Sequence, residues 1–335
     1  MIGNVLIGAA LMFAPVSGHA PPAPAKGGSD QSCTLAPSDR AWIDKALAAW
    51  RYSSRHYTGI KLRRPFEGIF YDAHCTLSAT NALSLGKRTP DWMATPHDSE
   101  VVMPDGSKAP VQPTSFASAN GSAFYFVMSV PSVWRAGGVE NKGIGLETMM
   151  VAVLLHEGSH VAQFATYGDQ IGRISDRYHL PQDFNDDSMQ VRFAETPEFA
   201  ASITRETGLL FAAAEAKDRA TTLRLAKSAR AQMRSRAQRY FVGADAYYGE
   251  AEDFWLTMEG SGQWAGFTWI IDPKGGGFAR DVAMTNFAKR SKWWSQNEGL
   301  ALFLVLDRLA PNTWQRTVFG DGSKTALQLL DAELS

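Results

Sequence analysis

The first part of the chain carries short apolar runs that are typical of β-strands. Residues 68–71 and 122–128 are predicted to form strands, and two further runs around Pro104-Asp105-Gly106 predict a hairpin over residues 101–111. One helix is predicted before them, beginning at Ser38 or Asp39 and ending near Gly59.

From residue 146 onward, apolar residues recur with the period of an α-helix. The pattern predicts helices over the ranges 146–167, 197–216, 218–240, 252–271, 278–290, 296–309 and 325–334. We expect the basic face of the helix over residues 218–240 to stay in solvent; it carries Arg219, Arg224, Lys227, Arg230, Arg234, Arg236 and Arg239. The whole pattern predicts an α+β fold, in which a β-rich N-terminal part precedes a mostly helical region.

The bulk composition is that of a globular protein without a preference for polyanions. Hydrophobic residues make up 45% of the 335 residues, charged residues 20%, and the net charge is −1. We therefore expect no binding to nucleic acid and no stable insertion of the mature chain into a membrane.

The N-terminus is different from the rest of the chain. Residues 5–16 are apolar but too few to span a bilayer, and they predict a signal peptide over residues 1–20, followed by a Pro/Gly-rich linker over residues 21–36. This predicts an exported protein, periplasmic or secreted. An apolar tail is the alternative, because the first four residues lack Lys and Arg. Cys33 and Cys75, the two cysteines of the chain, could pair in an oxidising compartment.

The motif His156-Glu157-Gly158-Ser159-His160 lies inside an apolar run that is predicted to be helical. Residues four positions apart lie on the same face of a helix, so both imidazoles can reach one zinc ion. Glu157 then faces the open side of the metal, where a carboxylate can act as a general base. The alternative is a buried helix that carries two His residues by chance.

A catalytic zinc ion takes three protein ligands, so a third ligand is needed. The extended motif with Gly and His at positions 163 and 166 does not occur, because Gln163 and Thr166 stand there. The shorter known spacings fall on His179 and Leu180, neither of which is Glu. The remaining candidates are two Glu-Gly pairs on apolar helices, Glu259-Gly260 and Glu298-Gly299, of which we favour Glu259 as the nearer. Minor alternatives are His179, Glu195, Glu198 and Glu206.

The segment Trp255-Leu256-Thr257-Met258-Glu259-Gly260, together with the His156-Glu157-x-x-His160 helix, resembles the two zinc helices of the gluzincins, which are peptidase MA-like zinc metallopeptidases. The resemblance covers these two helices. It implies Zn²⁺ as the cofactor, with His156, His160 and Glu259 as ligands, Glu298 as the alternative third ligand and Glu157 as general base.

The resemblance also implies a fold and a substrate. It implies one zincin-like catalytic domain over residues 37–335, with a β-rich lobe over 37–145 and a helical lobe over 146–335. The long spacing between the two zinc helices would be filled by a helical-pair insertion over residues 197–241. A peptide or protein substrate would lie along the strand at residues 123–130.

Other interpretations of the sequence stay open at this point. Tyr247, Tyr248 and His179 are eligible as donors that stabilise an oxyanion. Instead of a peptidase, the chain could be a non-catalytic zinc-binding or peptide-binding protein of the envelope, or a hydrolase of a non-protein amide. The intact Glu157 favours catalysis, because a binding site needs no base.

Overall fold

The fold is known from a computed structural model, which describes residues 5–7, 33–62, 66–86, 89–120, 123–181, 184–289 and 292–335. The predicted signal peptide and linker lie outside the described residues, except for residues 5–7 and 33–36. The predicted α+β class is confirmed, because an N-terminal sheet region precedes a mostly helical region.

The strands form a mixed sheet in the order β1-β7-β8-β2-β3-β4 and a separate hairpin of β5 and β6. Their bounds are β1 Val5–Ile7, β2 Glu67–Tyr71, β3 Cys75–Ala79, β4 Met93–Pro96, β5 Glu100–Val102, β6 Lys108–Pro110, β7 Ser115–Asn120 and β8 Ala123–Ser129. The hairpin covers one face of the sheet, where it packs on Ile69 and Tyr71, while the alternate residue Phe70 joins the main core on the other face.

The strand expected to lie along the substrate has no free edge. Residues 123–130 contain β8, which lies inside the sheet, paired antiparallel with β7 and parallel with β2. The strand between β8 and the margin of the sheet is β7, which pairs on its other side with the short β1. Both β7 and β8 pack against the motif helix α3, and β7 lies one strand in from the margin of the sheet.

Eleven α-helices are present among the described residues. They are α1 Pro37–Ser53, α2 Pro131–Ala136, α3 Leu146–Gln163, α4 Asp169–Tyr178, α5 Ser188–Phe193, α6 Pro197–Glu215, α7 Arg219–Tyr240, α8 Tyr248–Ile271, α9 Arg280–Ala283, α10 Trp294–Leu309 and α11 Ala326–Leu334. Helix α8 packs against both α3 and α10, and α6 pairs with α7. None of the described helices combines the length and the apolarity required to cross a bilayer.

A disulfide fixes the start of the described chain to the sheet. Cys33 and Cys75 are bonded, with their Cα atoms 5.6 Å apart. Since Cys75 begins β3, the bond holds the segment before α1 against the sheet. Buried apolar side chains from both the sheet and the helices belong to one continuous core.

Helices α8 and α10 cross with their backbones in contact at Gly260 and Gly299. A Cβ atom on Gly260 would lie 2.4 Å from the Gly299 carbonyl carbon, and one on Gly299 would lie 2.7 Å from the Gly260 Cα atom. No real Cβ atom tolerates such contacts, and backbone cannot rotate away as a side chain can. The crossing therefore requires glycine on both helices.

We expect Gly299→Ala to lower the free energy of unfolding by at least about 2 kcal/mol, because the two helices must separate to admit the methyl group. Gly208→Ala is the matched control, since Gly208 is exposed on α6 and its Cβ would meet nothing within 4 Å. That change should stabilise the protein by about 0.5–1 kcal/mol through helix propensity. Denaturant unfolding measures both, and equal effects of the two substitutions would contradict the close crossing.

Candidate metal centre

Helix α3 carries the motif into the interior of the protein. It is apolar on all sides and is buried from Met150 to Val161, as expected for a helix covered by other elements on every face. Gly158 has a packing role there, because a Cβ atom at this position would lie 2.7 Å from the ring of Trp50 on α1. The first variable position of the motif is thus fixed by packing, and the polar side chains on either side of it are buried.

Helix α8 brings Glu259 to the two His side chains. Its approach is close because Gly262, one turn further along α8, faces the His156 imidazole; a Cβ atom on Gly262 would lie 2.8 Å from His156 Nδ1. Gly266 has the same role at the next turn of α8, where its Cβ would lie 2.9 Å from the Ala152 carbonyl oxygen. Small residues on one face of α8 thus allow the contact with α3 that positions Glu259.

The ligand atoms of His156, His160 and Glu259 converge on one point. The two Nε2 atoms lie 2.8 Å apart. Glu259 Oε2 lies 3.2 Å from His156 Nε2, and Glu259 Oε1 lies 3.0 Å from His160 Nε2. Ligands at about 2.0–2.1 Å from a tetrahedral zinc ion would be roughly 3.3 Å apart, which is close to these separations. These three side chains could hold a metal ion.

Burial and charge at this cluster favour an ionised carboxylate. His160 and Glu259 are 0% exposed and His156 is 4% exposed. Burial raises the pKa of Glu259, but the nearby imidazoles of His160 and His156 outweigh it and hold that pKa below its usual range. The Nδ1 atoms of both His residues have no hydrogen-bond partner among the described residues. An anionic carboxylate with two imidazoles fits a divalent cation.

Glu157 lies beside the three ligands and is oriented by β7. Ser115 Oγ donates a hydrogen bond of 3.1 Å to Glu157 Oε1. The other oxygen, Oε2, is buried and has no hydrogen-bond partner among the described residues. Burial, with a smaller contribution from Glu259, raises the pKa of Glu157 to about 8, against the opposing effects of His156, the Ser115 hydroxyl and the Ala117 backbone amide. A carboxylate with one oriented oxygen and one unpaired oxygen is suited to accept a proton.

The rival carboxylate, Glu298, is placed elsewhere. It is 0% exposed and lies next to Arg236, with its Oε2 atom 4.0 Å from Arg236 Nη2. The same guanidinium pairs with Glu206 at 2.9 Å and with Glu252 at 2.7 Å. The two Glu-Gly pairs therefore differ in their surroundings, because Glu259 joins His156 and His160 in a group that could hold a metal ion and Glu298 joins a buried charge cluster around Arg236.

The expectation for the basic face of α7 is wrong at Arg236. This side chain is 2% exposed, whereas Arg219 and Arg234 on the same helix are more than half exposed. Burial alone would lower the pKa of Arg236, but Glu252, Glu298 and Glu206 outweigh it and raise that pKa. Carboxylates from three other helices compensate the buried charge.

The remaining sequence candidates lie away from the metal ligands or have other partners. His179, Glu195 and Glu198 are exposed. Tyr248 donates its hydroxyl to the Ser188 carbonyl at 3.2 Å, and the Tyr247 ring packs against Phe184 with ring centroids 5.4 Å apart.

Asp186 is a buried carboxylate near the centre that was not among the residues predicted from the sequence. It is 3% exposed and lies in the segment between α4 and α5. Burial raises the pKa of Asp186 well above its usual range, and so do the charges of Glu259, Asp187 and Glu157. The sequence offered only one signal, the doubled acid Asp186-Asp187 between the predicted helices over residues 146–167 and 197–216, and such a pair is more often solvated than buried.

Comparisons with family models, with curated proteins and with solved structures found no match to this chain.

Proposed function

We propose that this protein is a zinc metallopeptidase of the gluzincin type, in which His156, His160 and Glu259 bind zinc and Glu157 is the general base. The observation that supports this most strongly is the position of Glu157. Its unpaired Oε2 atom lies in the same buried cluster as the three ligands. A site built only to bind a metal has no use for a second, unpaired carboxylate beside Glu259, because a buried carboxylate without a partner costs free energy.

In the proposed reaction, Glu157 and Ser115 have different roles. Zinc, when bound, acidifies a water molecule and polarises the carbonyl of the scissile bond. Glu157 would accept a proton through Oε2 from the water whose oxygen attacks the carbonyl carbon, and would pass it to the amine nitrogen as the C–N bond breaks. Ser115 holds the other carboxylate oxygen in place, so the base does not need to reorient during the reaction. Because the cluster is almost wholly buried, bulk water is excluded and the electrostatic interactions of these side chains are only weakly screened.

Export of the protein belongs to the same proposal. The apolar residues 5–16 support a signal peptide, and the Cys33–Cys75 bond supports an oxidising compartment. We infer a periplasmic or secreted enzyme that acts on peptides or proteins.

Removal and return of the metal test the proposal. We expect the purified full chain to bind one zinc ion, to lose hydrolysis of labelled casein and peptides when a chelator removes the zinc, and to regain it when zinc is added. Metal content is measured by atomic emission and cleavage by mass spectrometry. Hydrolysis that persists in the metal-free protein would contradict the assignment. Stoichiometric zinc without cleavage of any peptide would favour the non-catalytic binding protein, or the hydrolase of another amide if small amides are cleaved.

A further inference from the structure

Asp186 is a buried acid whose two carboxyl oxygens have no hydrogen-bond partner among the described residues. Neither of its carboxylate oxygens accepts a hydrogen bond from another described residue, and no described Lys, Arg or His forms an ion pair with it. The next residue, Asp187, differs in this respect, because the charge of Lys292 acts on it. Leaving one carboxylate buried and unpaired is expensive, so a partner from outside the chain is indicated.

The segment around Asp186 packs against α8, the helix that carries Glu259. Phe184 packs on Trp255, with ring centroids 4.7 Å apart, and Trp255 lies one turn before Glu259 on α8. Two residues after Asp186, the Ser188 carbonyl accepts the Tyr248 hydroxyl. Asp186 lies between these two contacts, so its segment packs along α8, the helix that carries Glu259.

A second metal ion does not account for this carboxylate. In the described residues, one group of three ligand-type side chains converges, His156, His160 and Glu259, and Asp186 is not a member of it. Burial favours the neutral form of the Asp186 carboxyl group as long as no cation is near it. A cationic group that donated hydrogen bonds to its two oxygens would favour the ionised form.

We propose that Asp186 binds a positively charged group of the substrate, an ammonium or guanidinium group, close to the scissile bond. This inference rests on the proposed hydrolytic function and adds a substrate class to it, namely peptides with a cationic group next to the bond that is cleaved. The group can be the free α-amine of the peptide or a basic side chain. Both donate charge-assisted hydrogen bonds to a carboxylate.

Matched peptides test this assignment and distinguish the two sources of charge. One pair differs only by N-terminal acetylation, and a second pair, acetylated in both members, differs by Lys against norleucine beside the scissile bond. The zinc-loaded full chain, Asp186→Asn and the control Asp176→Asn are compared by kcat/KM. Asp176 is an exposed acid on α4, so its removal changes the net charge by the same amount away from the centre.

We expect the wild type to favour the cationic member of one pair by about 10- to 100-fold, the range of a hydrogen bond to a charged group. The preference should disappear in Asp186→Asn and persist in Asp176→Asn, with the zinc affinity of both unchanged. A wild type that does not discriminate within either pair would overturn the inference, whether or not the variant folds. So would a loss of more than about tenfold in the zinc affinity of Asp186→Asn, since Asp186 would then be a metal ligand.

A binding measurement separates this inference from the proposed function. Calorimetric titration of the same peptides into Glu157→Gln protein, with and without Asp186→Asn, reports recognition in the absence of turnover. If the wild type cleaves no peptide but the cationic members still bind more tightly through Asp186, the hydrolytic proposal fails and the recognition site stands. If peptides are cleaved without any charge preference in binding, the recognition site fails alone.

Discussion

Glu157→Gln is expected to lower kcat for peptide hydrolysis by about 100- to 10,000-fold, the range that general base catalysis contributes, while the protein keeps its zinc. An amide has the shape of the carboxylate but cannot accept a proton. The fold should tolerate the change well, because burial already raises the pKa of Glu157 to about 8 and the neutral form therefore suits this environment. The Gln side chain can also keep an oxygen toward Ser115 Oγ. Steady-state kinetics and zinc content measured on the same preparation give both quantities.

Glu259→Gln provides the contrast that separates a base from a ligand. Its carboxylate lies within 3.0 and 3.2 Å of the two imidazoles, so its neutralisation should weaken zinc binding and lower activity as a consequence. Excess zinc should then restore some of the activity of Glu259→Gln and none of that of Glu157→Gln. Full activity in Glu157→Gln would remove the general base from the mechanism, and loss of zinc from that variant would make Glu157 a ligand.

The motif on α3 could be predicted because its geometry is local. Two residues four positions apart share one face of any α-helix, so the placement of His156 and His160 needs no tertiary information. The choice between Glu259 and Glu298 could not be settled in this way. Each is followed by a glycine because α8 and α10 cross at Gly260 and Gly299. The Glu-Gly pattern therefore indicates the helix crossing. It does not show on which side of the crossing each carboxylate lies.

The wrong prediction for Arg236 and the missed strands β4 and β7 have the same physical origin, which is compensation by residues distant in the sequence. Arg236 stands at a position that the helical period assigns to the solvated face, and its burial depends on acids from α6, α8 and α10. Strand β7, with the sequence Ser-Phe-Ala-Ser-Ala-Asn, has no β-branched residue and only one large apolar residue, and β4 is exposed at every position. Their pairing partners make them strands, and periodicity within a segment carries no information about partners.

Removal of the arginine at the centre of the buried cluster should have a large effect on stability. We expect Arg236→Met to lower the free energy of unfolding by about 3–5 kcal/mol, because Glu206, Glu252 and Glu298 would remain buried without their shared cation. Met retains most of the apolar volume of the Arg side chain, so the loss of unfolding free energy measures the effect of removing the charge. Arg234→Met is the matched control on the same helix, since Arg234 is 58% exposed and its bond to Asp331 is a surface ion pair worth about 0–1 kcal/mol.

The loss of unfolding free energy in Arg236→Met should also depend on pH. The pKa shifts of the buried Glu residues determine the direction of that dependence. Burial raises the pKa values of Glu298 and Glu252 in the folded protein, and Arg236 opposes both increases, so its removal raises them further. A carboxyl group whose folded pKa exceeds its unfolded value of about 4.3 takes up a proton on folding, so low pH favours the folded state. The difference in unfolding free energy between wild type and variant should therefore shrink as the pH falls from neutral toward that value. A deficit that stays constant over this range would mean that packing around the guanidinium, and not its charge, holds the four helices together.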